Sequence, residues 1–348
     1  MIEKIRAFLQ KEIDSKHIPG AVLHVSYQGE IICREAIGNR AVYPTISPMQ
    51  IETVFDLASL TKVIATLPAI LKLIDRGDIR LDDPVRLFLP AFSMNGKEKV
   101  TIRHLLTHTA GFPAHRQFYR ENLTRNEILH RALTEPLENE PGSKVVYSDL
   151  SFITLYQLIE IITDEPFDVF INKEIFTPLE MGETTFNPTN SVECFAVTEY
   201  SEQLGDYKRG IVHDENAFAM NGISGHAGLF STISDMSNFA RMIENNGIYK
   251  GHRVLSENVL KLARQNHTPF GEEYRGLGWM LKSPKLSSCG DLFSSSAYGH
   301  TGFTGTSIWF DPEAKLHVIL LTNRVHYGRE PHIIRLRARL HNLIRASI

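Results

Sequence analysis

Cysteine is scarce in this sequence: Cys33, Cys194 and Cys289 are the only three in 348 residues, widely spaced and odd in number. With no C-x-x-C pair among them, neither a disulfide framework nor a cysteine-rich zinc site is expected. An excess of one charge is also missing. Lys and Arg number 37 against 40 Asp and Glu, a formal net charge of −3, which gives no electrostatic footprint for nucleic acid. Long apolar runs are absent too. Residues 292–310, a stretch free of Asp, Glu, Lys and Arg as long as any in the chain, are rich in Ser, Gly and Thr. Such a stretch is too polar to bury in lipid, so no membrane segment is expected. The first 17 residues carry charges throughout and have no apolar core of the signal-peptide kind. A cytoplasmic protein is expected.

What is present is ordinary globular composition, 43% hydrophobic and 22% charged. At ~150 residues per domain the length suggests about two domains, or one large domain with an insertion. Ile2, Ile5, Phe8, Leu9 and Ile13 recur at helical spacing, with Pro19-Gly20 as the stop. Residues 21–27 and 30–37 read as a hairpin turning at Gln28-Gly29, with a short strand at 53–55. From Ser59 the pattern is helical as far as Gly77, and Pro68 is expected to kink that helix. The middle is mostly helical, over 101–108, 124–133, 150–162 and 234–246; Thr124-x-x-Glu127 opens the second as a capping box. Strand character returns at 276–281, 304–310 and 316–322, before an Arg-rich helix that starts near Pro331. This predicts an α+β fold: one antiparallel sheet closed by the two ends of the chain, flanked by N- and C-terminal helices and interrupted by a helical domain. The expected division is 1–90 plus 265–348 for the sheet domain and 91–264 for the helical one, with a cleft between them.

Three short motifs carry chemistry. In Ser59-Leu60-Thr61-Lys62 the spacing of three puts the Lys62 ammonium and the Ser59 hydroxyl on one helix face. A serine hydroxyl becomes a nucleophile when a neighbouring base takes its proton. The pattern also reads as a helix N-cap followed by a surface lysine, although it is the only S-x-x-K in the chain. Tyr147-Ser148-Asp149 opens the buried helix, either as a strand end with a cap or as a phenol that moves a proton beside a carboxylate. His300-Thr301-Gly302 opens a strand expected to run to Phe310, either as a plain glycine-rich entry or as a substrate-binding edge.

Taken together and in this order, the three motifs resemble the active site of the serine β-lactamase and penicillin-binding protein superfamily. The resemblance is strongest to its class C β-lactamase-like branch, which includes esterases and D-amino-acid peptidases. Flanking text is similar as well: Phe55-x-x-Ala58-Ser59, Leu81-Asp82-Asp83-Pro84, the run from His104 to Gly111, and Pro178-Leu179-x-Met181-Gly182. The resemblance implies a β-lactamase/transpeptidase-like fold without cofactor or metal. It also implies a Ser59 acyl-enzyme, proton work shared by Lys62 and Tyr147, and an oxyanion hole from the backbone N–H groups of Ser59 and Phe303. Asp149 and His300 would support the catalytic residues, and Thr301 and Gly302 would hold substrate. The alternatives are a carboxylesterase of small acyl esters, or a non-catalytic penicillin-binding sensor or scaffold.

Two departures from that pattern bear on substrate. Asp149 stands where many relatives have Asn, and a carboxylate close to Lys62 should favour the charged ammonium, so Tyr147 is expected to do much of the base work. His300 replaces the lysine common in β-lactamases, and an imidazole is only partly charged near neutral pH. Both changes argue for a small-molecule or short-peptide amide or ester, with weak β-lactamase activity at most. A further run, His213-Asp214-Glu215-Asn216 with residues 222–230, looks like the muramyl-peptide amidase branch and adds His226 as a candidate substrate contact. His104 and His108 are spaced i, i+4 but lie in no H-E-x-x-H, so no metal site is expected.

Overall fold

The first strand, β1 (Gly20–Tyr27), is buried along almost its whole length because its two faces feed two different cores. Ala21, Leu23 and Val25 pack with Ile5 and Leu9 of the N-terminal helix Ile2–Asp14, and with Leu336 and Leu340 of the C-terminal helix His332–Arg345. Val22, on the opposite face, joins the larger core that runs through the helical part of the chain. Period-two alternation places successive side chains in these two layers. The computed structural model describes all 348 residues.

The other strands of the main sheet are β2 (Glu30–Ala41), β3 (Ser47–Pro48), β4 (Met280–Leu281), β5 (Tyr298–Thr301), β6 (Ser307–Asp311) and β7 (Leu316–Thr322). Their spatial order is β4-β5-β6-β7-β1-β2-β3, antiparallel throughout. Leu23 lies opposite Leu320, so the two ends of the chain meet in the middle of the sheet, as the α+β reading expected. The helices of the middle follow the expected spans closely. Helix Arg125–Thr134 has both bonds of its Thr124–Glu127 capping box, and helix Asp149–Thr163 is buried on most of its surface. A small second sheet joins Phe55–Asp56, Leu229–Ser231 and Thr185–Phe186, which ties the segment before Ser59 to the helical part. No helix is long and apolar enough to cross a membrane. All three cysteines are free, Cys194 exposed and the other two buried.

Two expectations are corrected. Residues 300–310 are not one strand. The chain folds back between Gly302 and Thr306, with the Gly302 N–H donating to Thr306 O at 2.7 Å, so β5 and β6 form a hairpin with Thr301 opposite Ser307. Gly305, at φ +123°, supplies a conformation that other residues rarely adopt. Nor does Pro68 kink a continuous helix. Residues Ala58–Leu60 form a 3₁₀ turn, Lys62–Thr66 a wider π turn, and a regular helix runs over Leu67–Arg76. Pro68 thereby falls in the first turn of that helix, where its missing N–H costs nothing.

Candidate active site

The nucleophile candidate sits on a constrained turn. Ala58, just before Ser59, has φ +46°, an uncommon conformation for a residue with a side chain. Its N–H donates to the buried Asp56 carboxylate at 2.8 Å, and its carbonyl accepts from the Thr61 hydroxyl at 2.6 Å. Asp56 Oδ2 also accepts from the His213 N–H. The β5–β6 hairpin is bonded to the same turn: Thr304 Oγ1 donates to Asp56 O at 2.8 Å, and Thr306 Oγ1 to Leu57 O at 3.0 Å. Gly302 has to be glycine because a Cβ there would press on Leu57 O at 2.5 Å. Strand edge and nucleophile are therefore held together by short polar bonds. Neither the Ser59 nor the Phe303 amide donates a backbone hydrogen bond.

Lys62 is fully buried, and all three of its ammonium hydrogens find acceptors: Ser59 Oγ at 3.0 Å, Asp149 Oδ1 at 2.8 Å and the His226 carbonyl at 3.1 Å. Burial alone would favour a neutral amine. The Asp149 carboxylate, aided by the Tyr147 phenol, overcomes it and holds Lys62 above its usual range. Burial would likewise push Asp149 up, but Lys62 and His115 dominate and keep it ionised well below the usual carboxylate range. Lys62 is thus biased towards its ammonium form in this arrangement, as the sequence expected from Asp149.

The Tyr147 ring is surrounded by basic groups. Lys62 Nζ lies 4.9 Å from its centroid and Arg275 Cζ 5.5 Å. The rings of His108 and His300 lie at 4.5 and 6.0 Å. His300 is 1% exposed, and burial, then Lys62 and Arg275, push it well below its usual value. The expected partial charge on His300 is therefore corrected to none: the ring is neutral, and its Nδ1–H points at Thr301 O at 2.9 Å. His108 is likewise driven well down by burial, then by Arg275 and Lys62. Its Nδ1 accepts from the Ser148 N–H at 3.1 Å.

His104 and His108 do not share a site. The former closes a cap with the Thr101 amide, while the latter faces Tyr147. His226 is placed differently from the expected substrate contact. Its ring is buried between Ser224 Oγ at 2.8 Å and Asp214 Oδ1 at 2.9 Å, and only its carbonyl reaches Lys62. Ligand atoms of Asp149, Asp214 and His226 lie within 4.8 Å of one another. Within that group Lys62 already donates to Asp149 Oδ1 at 2.8 Å, and the His226 ring bonds to Asp214 Oδ1 at 2.9 Å. Thr301 is half-buried at the end of β5. The Gly302 carbonyl accepts from the buried Arg337 at 2.8 Å, whose guanidinium burial lowers to about 9. The Phe303 side chain is exposed beneath Arg324, whose Cζ is 4.6 Å from its ring.

Arg275 and His108 are absent from the expected site. Arg275 precedes Gly276-Leu277-Gly278-Trp279, a run that reads as strand packing. His108 lies at the end of the helix Ile102–Leu106 with φ +57°, a turn that aims its ring at Tyr147.

A family model described as Beta-lactamase matches residues 5–342. The chain belongs to the beta-lactamase family. It is 31% identical to the N-acetylmuramyl-L-alanine amidase of Bacillus subtilis strain 168, across 93% of this chain and 81% of that protein. It is 32% identical to a protein of Salmonella enteritidis PT4 provisionally named D-alanyl-D-alanine carboxypeptidase, across 93% and 83%. Among solved structures, EstCE1, a hydrolase with promiscuous acyltransferase activity, superposes with a TM-score of 0.79 at 24% identity, covering 97% of this chain and 98% of that one. This is a β-lactamase-like serine hydrolase with a penicillin-binding-protein-like fold.

Proposed function

We propose that this β-lactamase-like enzyme cleaves an amide bond in short, cell-wall-derived peptides through a Ser59 acyl-enzyme. The observation that carries the reading is the Ser59–Lys62–Asp149 chain, at 3.0 and 2.8 Å, beside Tyr147. Lys62 holds a proton that it does not give up, so it orients the hydroxyl and stabilises negative charge. In its ionised form the Tyr147 oxygen takes the Ser59 proton as Oγ attacks the carbonyl carbon. It then gives that proton to the leaving nitrogen as the C–N bond breaks. Water repeats the sequence on the acyl-enzyme: Tyr147 takes its proton, the C–O bond to Ser59 breaks, and the serine regains a proton. The Ser59 and Phe303 amides, free of backbone partners, receive the carbonyl oxygen. Such a donor typically accounts for about 3–4 kcal/mol of barrier lowering. Thr301 and Gly302 offer a strand edge along which a peptide can lie.

The amidase and carboxypeptidase names of the relatives favour peptide substrates. So does the segment 213–230, which places its His226 carbonyl on Lys62. The neutral His300 leaves the strand edge without the cation expected of an efficient β-lactamase. Cleavage of small acyl esters is the second reading, supported by the same uncharged edge. We read residues 1–90 plus 265–348 and 91–264 as the two sides of the cleft. A cytoplasmic location is part of this reading, supported by three unpaired cysteines.

The test is a substrate panel with Ser59→Ala as control: a muramyl dipeptide, a D-alanyl-D-alanine peptide, p-nitrophenyl acetate and a penicillin. Highest kcat/KM on one of the two peptides supports the proposal. Highest kcat/KM on the ester moves the assignment to the second reading, and a penicillin value near ~10⁶ M⁻¹s⁻¹ overturns both.

A further inference from the structure

A lone arginine stands out among the buried groups that the catalytic chain does not use. Arg275 is 5% exposed. Its backbone is tied down on both sides: its N–H donates to Thr268 Oγ1 at 2.9 Å, its carbonyl accepts from the His267 N–H at 2.8 Å, and it bridges to Met280. One guanidinium nitrogen, Nη2, meets Glu273 Oε2 at 2.8 Å, but Glu273 is 65% exposed, so water screens that partner. The buried Nε and Nη1 meet no acceptor in the protein. An unmet buried guanidinium is costly, and its charge remains largely uncompensated. The guanidinium faces the Tyr147 ring at 5.5 Å.

The neighbours of Tyr147 sharpen the point. His300, at the strand position where a lysine is common among β-lactamases, is neutral. His108 is neutral as well, and its Nε2, like that of His300, is buried without a partner. The ammonium of Lys62 is offset by Asp149 at 2.8 Å. Arg275 is therefore the one positive charge beside Tyr147 without a close, buried counter-charge. We propose that Arg275 is a positioning residue for the reaction, holding the Tyr147 ring through its face and setting an unpaired guanidinium beside the proton-transferring tyrosine. The inference rests on the reading of Tyr147 as the base. It assigns the second cation of the site to the segment before β4 rather than to the β5 edge. Arg275 acts through Tyr147 and does not touch substrate.

The experiment compares Arg275→Gln and Arg275→Lys, each alone and combined with Tyr147→Phe, on neutral p-nitrophenyl acetate and on an anionic D-alanyl peptide. Circular dichroism and a urea melt show that each variant folds. Arg275→Gln should lower kcat roughly 10- to 100-fold on both substrates, in the range of single preorganised charges, with KM little changed. Arg275→Lys should restore most of the loss. In the Tyr147→Phe background, Arg275→Gln should cost nothing more. A loss confined to the anionic peptide would overturn the proposal and make Arg275 a substrate contact. Equal losses with and without Tyr147, or no loss at all, would overturn it too. If instead Ser59→Ala keeps full activity, it is the hydrolase reading that fails, an outcome separate from all of these.

Discussion

Replacing Asp149 by Asn tests the division of labour between Lys62 and Tyr147. Asparagine keeps the shape and can still accept from the ammonium through its Oδ1, so the perturbation is one of charge. The Lys62–Asp149 contact is 2.8 Å, worth about 6 kcal/mol of Coulomb attraction at an effective dielectric constant of ~20. Burying both charges costs part of that. Removing the carboxylate leaves burial as the dominant influence on Lys62 and lowers its proton affinity. Lys62 then becomes available as a base, a role it cannot fill beside Asp149. The assay is the acylation burst with p-nitrophenyl acetate between about pH 6 and 10, for Asp149→Asn, Tyr147→Phe and the double variant. With Asp149 in place, Tyr147→Phe should cost about 10³-fold, within the range of general-base contributions. In the Asp149→Asn background it should cost at least ~10-fold less. If Tyr147→Phe costs the same in both backgrounds, or leaves acylation near normal in the first, the assignment of Tyr147 as base is wrong.

Other predictions concern stability and close packing. Burial lowers His24 to about 3 and His341 to about 4, and drives His108 and His300 well down. In each case the folded protein holds the neutral ring while the unfolded chain binds a proton below about pH 6.5. Stability should thus be intact above that pH and fall as pH drops, by about 2 kcal/mol per histidine between pH 7 and 5. Four such groups together amount to about 8 kcal/mol, a large share of a typical 5–15 kcal/mol. Urea midpoints at pH 7 and 5 check this, and His341→Gln should remove about a quarter of the drop; an unchanged midpoint would contradict it. Gly302→Ala would drive a Cβ against Leu57 O at 2.5 Å, shift the β5 edge from Ser59 and lower kcat/KM by about 10²-fold or more, as small misplacements can. Native activity in that variant would show that the edge is not held by this contact.

The parts of the site that the sequence displayed are those in which local spacing sets geometry. Ser59 and Lys62 are three apart on a helical turn, and their heads meet at 3.0 Å even though that turn is 3₁₀ and π rather than a kinked α-helix. Asp149 could be read as a partner of Lys62 because it replaces the amide of a known pattern. The strands were legible from their alternation, but the fold-back at Gly302 was not, because residues 300–310 stay apolar or small on both sides of the turn. Arg275 left no trace in the sequence. One arginine before a Gly-rich strand has no local signature, and only the packing of that segment against Tyr147 gives it meaning. His226 misled in the opposite way: the residue does lie beside Lys62, but the fold turns its ring to Asp214 and offers the carbonyl to the site.

The most direct measurement of the central claim is intact-protein and peptide mass spectrometry after brief exposure to a fluorophosphonate or an activated ester. One covalent adduct should form, located on the peptide containing Ser59 and abolished by Ser59→Ala, with Lys62→Met sharply slowing its formation. An adduct on another residue, or an unlabelled protein that still hydrolyses the panel, would contradict it.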